Sequence, residues 1–115
     1  MKHSIIDDVA VLEPSRMLVG GDEDSILDET LDIRLGQGYR KFLIDLADVT
    51  TTNSTGRGQL IRLHKRAKLA GAQLVFCNLD HHLAQIFHTS KIELAVTIAK
   101  DRAQGFALLH AHSTG

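Results

Sequence analysis

The sequence predicts an α/β fold with a mixed sheet of four to five strands and four helices, in the order β-β-α-β-α-β-α-β-α. Short apolar runs of strand length alternate with segments whose apolar residues recur every three to four positions. The repeated β-α-β passages imply parallel strands with right-handed crossovers. The first two runs are close enough to form an antiparallel hairpin, which makes the sheet mixed. The length of 115 residues fits a single domain over 1–115.

The first predicted helix is preceded by two short strands, at 4–6 and 9–12, with a turn at 7–8 between them. Pro14 ends the second strand or places its end at a sheet edge. Asp22 is expected to cap the helix, and acidic residues in the first turn suit the helix dipole. Gly36 or Gly38 is expected to end it. Its apolar positions are Ile26, Leu27, Leu31 and Leu35.

The second half continues with a central strand at 41–46 and a helix at 54–69 that Gly71 closes. A strand at 73–77 and a short helix capped by Asp80 come next. A last strand near 95–98 and a helix at 101–110 complete the order. The residues expected to face inward from these helices are Leu60, Leu63, His64, Ala67 and Ala70, then Leu83, Ile86 and Phe87, then Ala103, Phe106, Ala107 and Leu109.

The most informative stretch joins the third strand to the second helix. The apolar run ends in hydroxyl and amide side chains, followed by small residues and an amphipathic helix. Ser54 therefore lies at a strand-to-helix turn, beside backbone N–H groups that have no partner within the helix. A serine there can be a nucleophile, a phosphate ligand or a phosphorylation acceptor. In the simplest structural interpretation, Ser54 or Asn53 merely caps the helix.

These features resemble the STAS domain of bacterial anti-sigma factor antagonists over nearly the whole chain. The family motif is Asp-Ser-Ser/Thr-Gly-hydrophobic-Gly after an apolar strand, and the sequence here reads Asn53-Ser54-Thr55-Gly56-Arg57-Gly58. The stretch 66–79 also looks like the family, with a basic helix end, a glycine, a strand and an exit that contains asparagine. The resemblance implies that Ser54 is phosphorylated by an anti-sigma factor that is a serine kinase.

The resemblance also implies a switch between partners. The unphosphorylated antagonist binds the kinase, phosphorylation ends the binding, and a phosphatase restores it. A phosphate adds roughly −1.5 to −2 charges, which a helix N-terminus tolerates and a closely fitted partner does not. The small residues Thr55, Gly56 and Gly58 are expected to let the partner approach, and Arg62 is expected to extend its binding surface. The sequence departs from the family at Asn53, in place of Asp, and at Arg57, in place of a hydrophobic residue.

Those two departures keep other functions open. One is a STAS scaffold subunit, without phosphorylation, in a lipid- or anion-transport assembly. Another is a ligand-sensing STAS domain that holds a nucleotide or a lipid at the Ser54 turn. The basic helix face, which includes Arg62, Lys65 and Lys68, suits an acidic partner, lipid headgroups or plain solvent.

Enzymatic and metal-binding functions have little support. Thr52-Asn53-Ser54-Thr55-Gly56 lacks the first glycine of a nucleophile elbow, so Ser54 with a histidine and Asp45 or Asp48 is a poor hydrolase candidate. The glycines form no dinucleotide fingerprint, and no Walker lysine follows. The seven histidines include His81, His82 and His88, and then His110 and His112, in no usual ligand spacing. We therefore expect no catalysis, metal or cofactor.

The composition narrows the class of partner. The formal net charge is −1, so a nucleic-acid partner is not expected. The first 56 residues carry about six more acids than bases, whereas the remainder carries about five more bases, so the surface is polarised.

The single cysteine, Cys77, lies in an apolar run and is expected to be a buried thiol. Without a signal peptide or a membrane-length apolar run, the sequence predicts a cytoplasmic protein; its last few residues are expected to be disordered.

Overall fold

A five-stranded sheet forms the centre of the computed structural model, which describes residues 1–111. The elements in chain order are β1 (Lys2–Ile6), β2 (Val9–Glu13), β3 (Arg16–Leu18), α1 (Asp22–Gly36), β4 (Lys41–Asp45), β5 (Val49–Thr52), α2 (Ser54–Leu69), β6 (Gln73–Cys77), α3 (His81–Thr89), a 3-10 helix (Ile92–Leu94), β7 (Thr97–Ala99) and α4 (Arg102–Ala111). The expectation about disorder in the last residues concerns 112–115, outside the described part.

The strand order in the main sheet is β1-β2-β4-β6-β7. Strands β1 and β2 pair antiparallel, whereas β2, β4, β6 and β7 are parallel. The parallel strands alternate side chains between two buried faces: Phe42 and Ile44 face one apolar cluster, and Leu43 faces the other. Helices α1, α2 and α3 cover the first face, and α4 covers the second. The predicted mixed α/β fold is confirmed.

Two short strands that were not predicted from the sequence form a separate pair. Strands β3 and β5 run parallel to each other, with Leu18 opposite Thr52. The pair brings the segment before α1 against the start of α2. Part of the segment between the predicted strand at 41–46 and the predicted helix at 54–69 is therefore a β-strand.

Several boundaries and inward stripes also differ from expectation. Gly21, not Asp22, occupies the N-cap of α1, so Asp22 belongs to the acidic first turn. On α2, Ala70 is exposed because it follows the last helical turn, and His64 is only half-buried. On α4, Leu109 faces the sheet as expected, but Ala103 and Ala107 are exposed, and Gly105 faces the sheet instead of them.

Candidate functional site

Helix α2 begins at Ser54, and Asn53 provides its cap. The Asn53 backbone is extended, with φ −130° and ψ −177°, and its Oδ1 accepts a hydrogen bond from the Gly56 N–H at 2.9 Å. Its Nδ2 donates to the Val19 carbonyl oxygen at 3.3 Å. Between the two cap candidates in the sequence, the structure therefore selects Asn53.

The Ser54 hydroxyl is left available because Asn53 makes the cap. Ser54 and Thr55 are both exposed in the first turn of α2. Within residues 1–111, the Ser54 hydroxyl has no hydrogen-bond partner. The first-turn N–H groups and the positive end of the helix dipole lie beside it. The local field therefore favours an anion at this position.

The backbone from the end of β3 onward packs against the inner side of the turn. Gly56 is buried, and a Cβ added there would lie 1.6 Å from the carbonyl oxygen of Leu18. Gly20, with φ of +89°, approaches the methyl group of Thr55 in the same way. Gly56 thus faces the protein's own backbone, which corrects the expectation that its small size opens a path for a partner. Periodicity gave no signal for this contact, because it involves a backbone carbonyl.

Arg57 lies against the end of β5. Its Nη1 donates to Oγ1 of Thr52 at 3.2 Å, and the side chain is half-buried. The Arg57 guanidinium is thus hydrogen-bonded to the residue two positions before Ser54. Arg57 and Thr52 together fix the approach of β5 to the helix.

Thr55, Gly58 and Arg62 continue the exposed side of α2. Their spacing of three and four residues places them on one stripe. Gly58 is partly exposed, and the Arg62 guanidinium lies near it, since Nη1 is 3.5 Å from the position of an added Cβ. Arg62 also donates from Nη2 to Gln59 Oε1 at 2.7 Å. The stripe therefore combines a small residue with a positioned cation.

A cleft of about 230 Å³ reaches Thr52, two residues before Ser54. It lies between β5 and α3, and its lining includes Thr50, Thr52, Asp80 and His82. The Asp80 side chain accepts from the Leu83 N–H at 2.7 Å and so caps α3 as predicted. Hydroxyl groups, a carboxylate and an imidazole thus surround this cleft.

A second polar cluster lies at the carboxyl ends of the parallel strands. Asp45 is 5% exposed and accepts from Arg102 Nε at 2.7 Å, from the Ala47 N–H at 3.0 Å and from Asn78 Nδ2 at 3.1 Å. Arg102 also contacts Glu13 at 2.8 Å. Burial acts to raise the pKa of Asp45, but these hydrogen bonds and the Arg102 charge outweigh it and hold that pKa below its usual value. The same contacts raise the pKa of Arg102.

This cluster was not predicted from the sequence, because its members come from β2, β4, α4 and the loop after β6, and β4 appeared as an apolar run. It also clarifies the weak hydrolase candidate. Asp45 is bonded to an arginine, a backbone N–H and an asparagine, so its described partners include no histidine.

Cys77 lies on β6 next to Asp45 and is fully buried. Desolvation first, and then the Asp45 charge, raise the pKa of this thiol to about 12.

The histidines are spread over the described surface. Among residues 1–111, no three His, Cys, Asp or Glu side chains converge as they would around a metal ion. His88 pairs with Glu93 at 2.6 Å, and His64 contacts the Thr97 hydroxyl at 3.2 Å. Burial, followed by the charge of Lys68, lowers the pKa of His64. His112 lies outside the described residues.

The family is established by a sequence model of the STAS domain, which matches residues 2–105. The chain belongs to the STAS domain family. No curated protein matches it significantly. None of the helices within residues 1–111 has the length and apolar character needed to cross a bilayer.

Solved structures show the same STAS fold. One is a Thermotoga maritima protein designated an anti-sigma factor antagonist, with 18% identity, a TM-score of 0.83 and coverage of 95% of this chain and 93% of that one. Another is the anti-sigma factor antagonist SpoIIAA in its unphosphorylated form, with 9% identity, a TM-score of 0.66 and coverage of 86% of both chains. A murine Solute Carrier 26 anion transporter matches with 12% identity and a TM-score of 0.77, over 93% of this chain and 18% of the transporter.

Proposed function

We propose that this protein is an anti-sigma factor antagonist with no catalytic activity of its own. It acts in the cytoplasm by binding a serine-kinase anti-sigma factor and so releasing a sigma factor. Its interface is the Ser54 turn together with the exposed stripe of α2. The observation that carries this proposal is the exposed, unbonded Ser54 hydroxyl at the start of α2, within a STAS motif.

Phosphorylation of Ser54 is the proposed off-switch. The hydroxyl is accessible to a kinase, and Asn53 makes the cap, so a phosphate on Ser54 leaves the cap hydrogen bond intact. The helix N-terminus stabilises the added charge, and the domain stays folded. A partner surface fitted to a neutral serine instead buries an unpaired phosphate, which is unfavourable. A phosphatase then restores the binding form.

The proposed contact surface runs from Asn53 to Arg62. Thr55 and Gly58 allow close approach of the partner backbone, and Arg62 supplies a cation for an acidic group. Arg57 acts indirectly, by bonding Thr52 at the end of β5. Gly56 has an internal role, because its open side is filled by Leu18.

The rival proposals differ in what the Ser54 turn does. Similarity in fold to part of an anion transporter supports a scaffold role, in which Ser54 is never phosphorylated. The cleft between β5 and α3 supports ligand sensing. Mass spectrometry of the protein isolated from its own cells separates them: phosphate on Ser54 supports the antagonist, and its absence under several growth conditions favours the scaffold. A thermal shift with nucleotides favours sensing.

The direct test compares Ser54→Asp with Ser54→Ala for binding to an anti-sigma factor with a serine-kinase fold from the same organism, by calorimetry. We expect Ser54→Asp to weaken binding by about 30-fold or more, because burying an unpaired charge costs roughly 2 kcal/mol or more. Ser54→Ala should bind nearly as the wild type does. Ser4→Asp, on the exposed strand β1, controls for added charge alone. Equal affinities of the two Ser54 variants would refute the switch.

A further inference from the structure

Helices α1 and α2 carry opposite charges and lie side by side. Helix α1 contains six acidic side chains and one arginine, whereas α2 contains five Lys or Arg side chains and no acid. Arg66 of α2 joins them by ion pairs to Asp28 and Asp32 of α1. One surface of the protein therefore has an acidic half and a basic half.

Part of this charge points outward, away from the core. On α1, Glu29 and Ile33 lie opposite the buried side of the helix, and Ile33 is 58% exposed. On α2, Arg62, Lys65 and Leu69 follow one stripe, and Leu69 is 77% exposed. We call these five residues the α1–α2 face. It presents an acid and an apolar side chain on one helix, and two cations and an apolar side chain on the next.

The outermost charges of the face are not neutralised within the described chain. Arg66 is engaged by Asp28 and Asp32, but among residues 1–111 neither Glu29 nor Lys65 has an ion-pair partner. Ile33 and Leu69 are likewise two of the most exposed large apolar side chains described. The face thus offers both charges and apolar groups to a complementary surface.

We propose that the α1–α2 face is a homodimer interface. A two-fold axis that lies in the plane of the interface, parallel to the helices and between them, places α1 of one copy over α2 of the other, and the reverse contact follows by symmetry. Glu29 of each copy then contacts the basic stripe of the other copy, so this contact forms twice. Ile33 and Leu69 become buried in the interface. A second copy is favoured over other occupants because the face is complementary to itself in charge. This inference is independent of the proposed kinase.

The size of the face indicates a weak, reversible dimer. A helix of about 16 residues is about 24 Å long, and two adjacent helices are about 20 Å wide. The face therefore covers roughly 480 Å² per copy, or about 1,000 Å² in total, at the lower limit for specific interfaces. We expect a dissociation constant on the order of 10 to 100 μM. Since Arg62 also belongs to the proposed kinase-binding stripe, dimerisation should compete with that partner.

Sedimentation velocity tests the dimer from about 5 μM to about 1 mM protein, a range that brackets the expected dissociation constant. Glu29→Lys makes both halves of the face basic, and Lys65→Glu makes α2 less complementary to α1. Each variant alone should associate at least about 10-fold more weakly than the wild type. An equimolar mixture should regain a heterodimer, because both symmetry-related contacts are then attractive.

Two further variants and a check of folding make the test decisive. Lys100→Glu changes an exposed lysine outside the face and should dimerise like the wild type. Leu69→Ser removes exposed apolar surface without changing charge and should weaken the dimer. Circular dichroism should show that all variants are folded. A wild type that stays monomeric at about 1 mM, a dimer that neither charge reversal weakens, or a mixture that does not associate would overturn the proposal.

Discussion

Asn53 and Ser54 divide two tasks that a helix start often gives to one residue. Asn53 accepts from the Gly56 N–H and donates to the Val19 carbonyl, so it ties the turn to the segment after β3. Ser54 is left with an exposed hydroxyl. The aspartate typical of the family accepts the first of these bonds but lacks a donor for the second. The hydrogen bond to the Val19 carbonyl therefore explains why asparagine suits this position in this chain.

The cap predicts a specific ranking of variants in urea unfolding. Asn53→Ala loses both hydrogen bonds and should lower the free energy of unfolding by about 1 kcal/mol. Asn53→Asp is the matched control, because it keeps the cap and adds a charge that the helix dipole favours. It should lie between the alanine variant and the wild type, since its carboxylate repels the Val19 carbonyl. An alanine variant as stable as the wild type would contradict the capping role.

Two glycines of the motif provide a sharper contrast. Gly56→Ala should destabilise the protein by about 3 kcal/mol, because the new Cβ meets the Leu18 carbonyl at 1.6 Å and backbone must move. Gly58→Ala should leave stability unchanged or raise it by up to about 1 kcal/mol, since alanine favours a helix and the nearest atom is 3.5 Å away. Thermal and urea unfolding of the pair measure this. Equal changes in stability for the two variants would show that the Leu18 contact does not determine the cost of the Gly56 substitution.

At the scale of elements, β3 and β5 show what a local pattern misses. Thr50, Thr51 and Thr52 appeared as part of a turn, and Arg16 follows directly after a proline and a serine. Each strand has only three or four residues, and each pairs only with the other, more than 30 positions away. No window of local sequence contains both. By contrast, β6 and α2 were predicted at their observed bounds, because continuous apolar patterns define them.

Helix α4 shows a second limit of sequence patterns. Its expected inward residues included two alanines, but Gly105 makes the close contact, since an added Cβ there would lie 2.5 Å from Leu43 Cδ1. A hydrophobicity pattern assigns glycine no apolar weight. Arg102 then joins the start of α4 to Glu13 and Asp45 at the ends of β2 and β4. The helix is thus held to the sheet by packing at one point and by charge at another.

The Arg102 contacts predict both stability and its pH dependence. Arg102→Met should lower the free energy of unfolding by about 2 kcal/mol at pH 7, less than the roughly 3 to 5 for a fully buried pair, because Arg102 is partly exposed. The pKa of Asp45 is lower in the folded state, so its contribution is present above its unfolded pKa of about 3.9 and is lost as pH falls through the folded pKa. The variant should show a weaker acid-dependent loss.

Arg66→Met is the matched control for the Arg102 measurement. Arg66 pairs with Asp32, which is largely exposed, and with Asp28, which is partly exposed, so its loss should cost less than about 1 kcal/mol. Urea unfolding between pH 7 and pH 3 compares both variants with the wild type. If the two variants were equally destabilised at pH 7, the special role of buried Asp45 would be wrong.

At the scale of the whole molecule, the sheet was the most predictable part. Every residue of β6 except Gln73 is buried, and alternate positions supply two cores, so the strand reads as a continuous apolar run. The hairpin, the crossovers and the family motif then determine the arrangement of the main elements. What the sequence could not supply were contacts between distant backbones and the Asp45 cluster, because these depend on how separate elements meet.

The burial of Cys77 predicts low reactivity in the intact protein. With its pKa raised to about 12 and no exposed surface, the thiol should react with iodoacetamide at least 100-fold more slowly than a free cysteine at pH 8. Mass spectrometry of alkylation over time measures this. Denaturing urea is the control and should restore the ordinary rate. Rapid labelling of the native protein would mean that β6 opens readily.

The pairing of β3 with β5 also has a consequence for folding. It closes a long loop containing α1 and β4, and the entropy lost in closing that loop must be offset by contacts made elsewhere. The Leu18 backbone that packs against Gly56 therefore reaches its position together with the rest of the chain and not through contacts between residues close in sequence. A peptide spanning 45–69 has the same motif but lacks the Leu18 segment. The proposed partner surface at Ser54 thus takes its final form only when the whole chain has folded.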